Sequence, residues 1–321
     1  ATTQRVKTLA SRKNPTTHRA QKNVASSRRC VQPLALRNDA TAQRVQQTLV
    51  SLCRHIILAA LLFPAPLQAQ VEYPVSAIPP ELMTNAQVVV RVDETIFTIQ
   101  PDGDAVLEET FVATILNEEG KYACSNGGQE DRFSKVKMLK GRLFDADGKL
   151  VRATKEEDVQ EFGGGAEYEF TDNKSKYLRL EFPRFPYTVE FKKKTTMKGF
   201  LGMPSSTIQR LGASVENWRY TIIAPPSYLF KWKTPGLDLQ PKQSTKGDKS
   251  IWEWQAQNLP AQPDEPYNPY FRDVTAKIQL APLEINFDNH QGDFKSWNSV
   301  GRFFNELNNG RETLPAATIA Q

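Results

Sequence analysis

The feature that most restricts what this chain can fold into is a two-residue hydrophobic period, repeated between turn signals from about residue 86 onward. Leu107, Phe111, Ala113 and Ile115 alternate with Glu108, Thr110, Val112 and Thr114, the pattern of a strand with one buried and one wet face. Val88, Val90 and Val92 alternate with Val89, Arg91 and Asp93, and the apolar parity then moves to Phe97 and Ile99, which predicts a β-bulge near Thr95. Pro101-Asp102-Gly103 joins these two strands as a hairpin turn, the glycine supplying the positive φ that other residues resist. Further strands are predicted around Val136 to Phe144, Leu178 to Phe182, Tyr187 to Phe191, Trp218 to Ile222, Phe230 to Trp232 and Trp252 to Trp254, with Asp145-Ala146-Asp147-Gly148 as a second turn. Helical periodicity is nearly absent, so the fold class expected is all-β, an antiparallel β-sandwich spanning residues 82–285.

One helix is predicted near the end. Ser296 caps it, Trp297, Val300, Phe304 and Leu307 share a stripe that must dock on something, and Asn308, Asn309 and Gly310 stop it. Residues 294–321 therefore read as a helix followed by the start of a linker to a missing domain.

Charge divides the chain. Residues 1–70 hold 11 of the 41 Lys and Arg but only one of the 36 acids, Asp39, which leaves 30 bases against 35 acids beyond. The net charge of +5 thus comes from the leader, and the folded region lacks the basic face that a nucleic-acid binder requires. Residues 1–48 are polar, basic and poor in large apolar side chains, a composition expected to stay disordered and to lie upstream of the true start. Within 49–69, Arg54 and His55 precede the apolar run Ile56 to Phe63, and Leu67-Gln68-Ala69 closes it, the order of a signal peptide cleaved between Ala69 and Gln70. The run is too short for a transmembrane anchor, so the mature protein is expected to be exported, periplasmic or extracellular. Of the three cysteines, only Cys124 lies beyond the leader, which leaves no intramolecular disulfide there.

Candidate chemistry is sparse, and no catalytic, cofactor or metal site is predicted. Cys124 and His290 are the only Cys and His beyond the leader, but both sit in predicted loops without a third member of a triad. Asp102, Asp104, Asp145 and Asp147 belong to turns whose spacing does not match a calcium loop. Gly163-Gly164-Gly165 does not stand between a strand and a helix, as a phosphate cradle does. Lys192-Lys193-Lys194 reads as a solvated edge guarded by lysine. The segment from Asn258 to Phe271 offers Tyr267, Tyr270 and Phe271 as a candidate binding loop for a peptide or glycan.

Several motifs, in order, resemble a known family. Val92-Asp93-Glu94-Thr95, Pro101-Asp102-Gly103-Asp104 and Ile115-Leu116-Asn117-Glu118-Glu119-Gly120 open the match; Asp145-Ala146-Asp147-Gly148-Lys149, Leu178-Arg179-Leu180-Glu181-Phe182-Pro183 and Tyr187-Thr188-Val189-Glu190-Phe191 continue it. Trp252-Glu253-Trp254, Asn258-Leu259-Pro260-Ala261 and Glu265-Pro266-Tyr267-Asn268-Pro269 close it. Over residues 82 to 315 the chain resembles the N-terminal domain of unknown function that precedes a transglutaminase-like domain in exported bacterial proteins. The resemblance implies an immunoglobulin-like sandwich, itself non-catalytic, whose partner is a C-terminal transglutaminase-like domain. None of that domain's catalytic positions maps onto this chain.

Overall fold

The computed structural model describes residues 72–163, 173–262 and 275–310. The expected leader, with the Ala69–Gln70 cleavage site, lies outside them. The all-β, layered architecture with a C-terminal helix matches the periodicity. Along the chain, a short helix α1 (Pro80–Met83) precedes β1 (Val88–Ile99) and β2 (Ala105–Ile115). A 3-10 turn, Glu118–Cys124, leads into β3 (Ser125–Glu130), β4 (Ser134–Phe144), β5 (Leu150–Ala153), β6 (Gln160–Gly163) and β7 (Lys174–Arg179). Then come β8 (Tyr187–Met197), β9 (Ser206–Thr207), β10 (Ala213–Ala224), β11 (Phe230–Lys233), β12 (Lys242–Lys246) and β13 (Lys249–Leu259). Last are β14 (Lys277–Pro282), β15 (Glu284–Phe287), β16 (His290–Asp293) and the helix α2 (Trp297–Asn308).

Eight strands form the main sheet in the order β12-β13-β10-β1-β2-β8-β4-β5. Its pairs are antiparallel except β1 with β10, which run parallel at the centre. One face carries the main core and is covered by two small sheets, β3-β7-β6 and β11-β14-β9, rather than by one continuous second sheet. The aromatic strands read from the sequence supply much of that core. Trp218, Tyr220 and Trp254 are almost fully buried, with Phe230 edge-on to Trp252 at 5.0 Å and Trp232 to Trp254 at 5.9 Å between ring centres. Gly141 on β4 lets the β7 end approach, since a Cβ there would stand 2.7 Å from Leu180 Cδ1.

The opposite face is part covered and part open. The segment before β1 lays Ile78 and Leu82 on Val89, and Ser214 Oγ donates to the Leu82 carbonyl at 2.5 Å. Beside it Arg142 donates to both oxygens of Glu190 (2.9 and 2.6 Å) and of Glu72 (2.9 and 2.7 Å), pinning the N-terminal segment to the sheet.

Three local expectations are corrected. The bulge lies between Val90 and Val92, not near Thr95, so Asp93 turns to the same inward face as Phe97 and Ile99 instead of sharing the outward face of Val89 and Arg91. The lysine run Lys192-Lys193-Lys194 is not at an edge, because β8 pairs with both β2 and β4, and its lysines meet acids across the sheet. Helix α2 docks not through the whole Trp297 stripe but through Phe303, which is 2% exposed and packs beside Phe294 and Gly292, while Trp297 is 89% exposed. Its Ser296 cap is as expected, accepting a hydrogen bond from Ser299 N at 3.1 Å.

Candidate functional site

The two covering sheets part over the centre of the main sheet and leave a cavity of about 330 Å³ there. Its floor is β1 and β2, with Val88, Val90 and Phe111 as apolar lining and Asp93, Thr95 and Glu109 as polar lining. The end of the 3-10 turn and the start of β3 form one wall, with Tyr122 and Asn126; the β9 segment Ser205–Ile208 and Arg210 form the other.

Core side chains hold that second wall in place. Trp218 Nε1 donates to Ser206 Oγ at 3.3 Å, and Tyr220 Oη donates to the Pro204 carbonyl at 2.6 Å. Gln209 Nε2 donates to the Ala213 and Pro260 carbonyls, and Thr275 Oγ1 donates to the Gln209 carbonyl at 2.6 Å. A buried polar group that is fully paired rigidifies what it joins, so the cavity is preformed.

Asp93 is the anomaly. Its register on β1 faces Phe111 of β2 and Trp218 of β10, and it forms no hydrogen bond or ion pair with any described residue. Burial pushes its carboxyl far up, to about 7, with the Glu109 charge adding to the rise and Arg210 opposing it. Glu109, the diagonal neighbour of Asp93 on the same face, has Lys193 Nζ at 2.9 Å from Oε2, an ion pair off the line of a good hydrogen bond. The same Lys193 also donates to the Gly127 carbonyl at 2.9 Å. Thr95 is 6% exposed, and its hydroxyl has no partner among the described residues. Burial likewise raises the Tyr122 phenol, which keeps it neutral.

A larger cavity of about 460 Å³ lies between the β1–β2 turn and the β15–β16 hairpin, but its charged groups are already held. Lys295 Nζ stands 3.2 Å from Glu284 Oε1, Asp293 accepts from Lys295 N at 2.9 Å, and Asn286 Nδ2 donates to the Asp102 carbonyl at 2.6 Å. That cavity is a packing joint.

The residues singled out in the sequence fall elsewhere. Tyr267, Tyr270 and Phe271 lie outside the described residues. Cys124 is fully buried, burial pushes its thiol up, and it donates to Glu181 Oε1 at 3.9 Å. His290 opens β16 and pairs with Phe287, so no interaction joins it to Cys124. The aspartates of the two turns serve the turns: Asp102 Oδ1 accepts from Asp104 N at 3.1 Å, and Asp145 Oδ1 accepts from Asp147 N and Lys149 N. Among the described residues, no three His, Cys, Asp or Glu side chains gather as a metal site needs, and no helix is long and apolar enough to cross a membrane.

Sequence reasoning missed Asp93 and Glu109. Glu109 shares the parity of Leu107, Phe111 and Ala113, and an acid at an inward position of an apolar strand was the available signal.

Comparison with known families matches DUF3857, a domain of unknown function with a solved structure, over residues 101–263, half of the chain. The chain belongs to this family. Asp93 and the segment before β1 precede the matched region, whereas Glu109, Tyr122, Lys193 and Arg210 lie inside it. No curated protein matches the sequence. Among solved structures, a proposed protease from Parabacteroides distasonis shares the fold at a TM-score of 0.53 and 13% identity, covering 61% of this chain and 40% of its own. The M1 zinc metallopeptidase of Deinococcus radiodurans aligns at a TM-score of 0.29 and 10% identity, covering 65% and 46%, too slight a likeness for comparison of the folds. The DUF3857 chain described by these residues spans less than half the length of either.

Proposed function

We propose that this DUF3857 chain is a non-catalytic β-sandwich module of an exported, transglutaminase-like protein, where it positions or shields a neighbouring catalytic domain. The observation that carries the reading is helix α2, which buries Phe303 and Ser299 against the sandwich, stacks Phe304, 40% exposed, beside Phe294, and leaves Trp297 89% exposed. Large apolar side chains exposed together mark a surface made for contact. Two further observations support the reading. The proposed protease of similar fold is a longer chain, of which this fold covers 40%. Cys124, the only described cysteine, is buried and its thiol is pushed up, the opposite of an activated nucleophile.

The test is to read the coding sequence past Gln321 and, where a Cys, His and Asp domain follows in frame, to express both together. The reading expects Trp297→Ser with Phe304→Ser to loosen the two-domain protein, seen as faster proteolysis between the domains. A stop codon directly after Gln321 contradicts it.

The Asp93 cavity favours a second reading: a self-sufficient periplasmic or extracellular module that binds a peptide or glycan. Preformed cavities of roughly 300–1,000 Å³ with a few convergent polar groups are where small ligands bind.

A further inference from the structure

We propose that the Asp93 cavity binds the free amino end of an amino acid or short peptide. The inference rests on the binding-module reading and adds the class of ligand. What the cavity lacks defines what it takes. Asp93 is an acceptor without a donor, Thr95 is a nearly buried hydroxyl without a partner, and Arg210 at the exposed rim is a donor fork without an acceptor among the described residues. A primary ammonium carries three donors and no acceptor, matching the Asp93 oxygens and the Thr95 oxygen together. The carbonyl or carboxylate next to that ammonium is the acceptor that Arg210 is shaped to hold. Val88, Val90 and Phe111 leave an apolar floor for a small side chain.

Other ligands fit less well. A calcium ion needs a cluster of carboxylates, and among the described residues no three His, Cys, Asp or Glu side chains gather here. A phosphate meets the Asp93 carboxyl. A sugar hydroxyl can donate to Asp93 but brings no charge to offset a buried carboxylate, as an ammonium does.

The charged and titratable groups facing Asp93 come from four elements: Glu109 on β2, paired with Lys193 on β8; Arg210 before β10; and the neutral phenol of Tyr122 from the 3-10 turn. An arriving ammonium favours the ionised carboxyl, so a proton leaves Asp93 for the solvent as the ligand enters. With the carboxyl of the free chain raised well above its ordinary range, binding tightens as pH climbs from 6 to 7.5.

The experiment is isothermal titration of the chain with L-alanine, L-alanyl-L-alanine, N-acetyl-L-alanine and N,N′-diacetylchitobiose at both pH values. The proposal expects the free-amino probes to bind with that pH dependence and N-acetyl-L-alanine, which lacks the ammonium, to fail. Dialanine binding more tightly than alanine identifies a peptide end; equal binding identifies the amino acid. Asp93→Asn, checked by circular dichroism for an intact sheet, is expected to weaken alanine by more than about tenfold. Arg210→Gln, at the exposed rim, is expected to weaken alanine more than alaninamide, whose carbonyl accepts without a charge. Binding of N,N′-diacetylchitobiose or N-acetyl-L-alanine in place of the free amines overturns the ligand class and leaves the binding module standing. Absence of binding by all four probes at millimolar concentration overturns both.

Discussion

Two carboxylates sit little exposed on opposite faces of the same sheet, and the chain treats them in opposite ways. On the outer face, Glu190 is enclosed by Arg142, Tyr73 and Lys192; burial pushes its carboxyl up, but the Arg142 hydrogen bonds and charge outweigh that and hold it below its ordinary range. On the inner face, Asp93 has no such partner, and burial carries its carboxyl to about 7. A buried acid that is fully paired ties structure together; one that is left unpaired beside a cavity costs stability and remains available to a ligand. The contrast separates the face that holds the N-terminal segment from the face that carries the proposed binding cavity.

The comparison breaks most visibly on the outer face. Arg142→Ala leaves Glu190, whose side chain is 4% exposed, without its main partner and is expected to cost about 3 kcal/mol in urea unfolding. The inner face responds with the other sign. Asp93 is raised in the folded chain, so its contribution favours folding below the ordinary carboxylate range and is lost as pH climbs through about 7. Asp93→Asn is therefore expected to match the natural chain near pH 4 and to exceed it by about 2 kcal/mol at pH 8. Equal stability at both pH values would mean that Asp93 has a partner after all. Glu190 runs the opposite way: lowered in the folded chain, it contributes above its unfolded pKa and loses that contribution in acid, so Glu190→Gln is expected to flatten the acid limb of the stability profile. The smallest effect is expected at Trp297→Ser, within about 0.5 kcal/mol in this chain because the ring touches little of the sandwich.

Much of this architecture was legible in the alternation of residues. The inward rows Leu107, Phe111, Ala113, Ile115 and Trp218, Tyr220, Ile222 are core because a two-residue period places them on one face whatever the partner strand. The central parallel pair was not legible, since β1 and β10 are over a hundred residues apart and pairing direction leaves no mark on alternation. Lys192-Lys193-Lys194 looked like an edge because lysines guard edges, yet Lys193 and Lys194 answer Glu109 and Glu108 across the β2–β8 ladder, and Lys192 meets Glu190 on its own strand. The cavity was hidden by a single residue of register. With the bulge placed at Thr95, Asp93 read as an outward neighbour of Arg91; with it between Val90 and Val92, Asp93 turns inward beneath the gap between the small sheets. Helix α2 was found from its cap and its stop signals, but its docking side turned on Gly292, which admits the Phe303 ring where a Cβ would come within 2.5 Å.

The most direct test of the contrast is an NMR titration of the Asp93 side-chain carboxyl carbon in the folded chain, assigned by comparison with Asp93→Asn. A midpoint near 7, moved well down by saturating alanine, is the result predicted for an unpaired acid beside an open cavity. A midpoint in the ordinary carboxylate range, unmoved by ligand, would show Asp93 to be paired or solvated like any surface acid and would remove the basis for a site on this face.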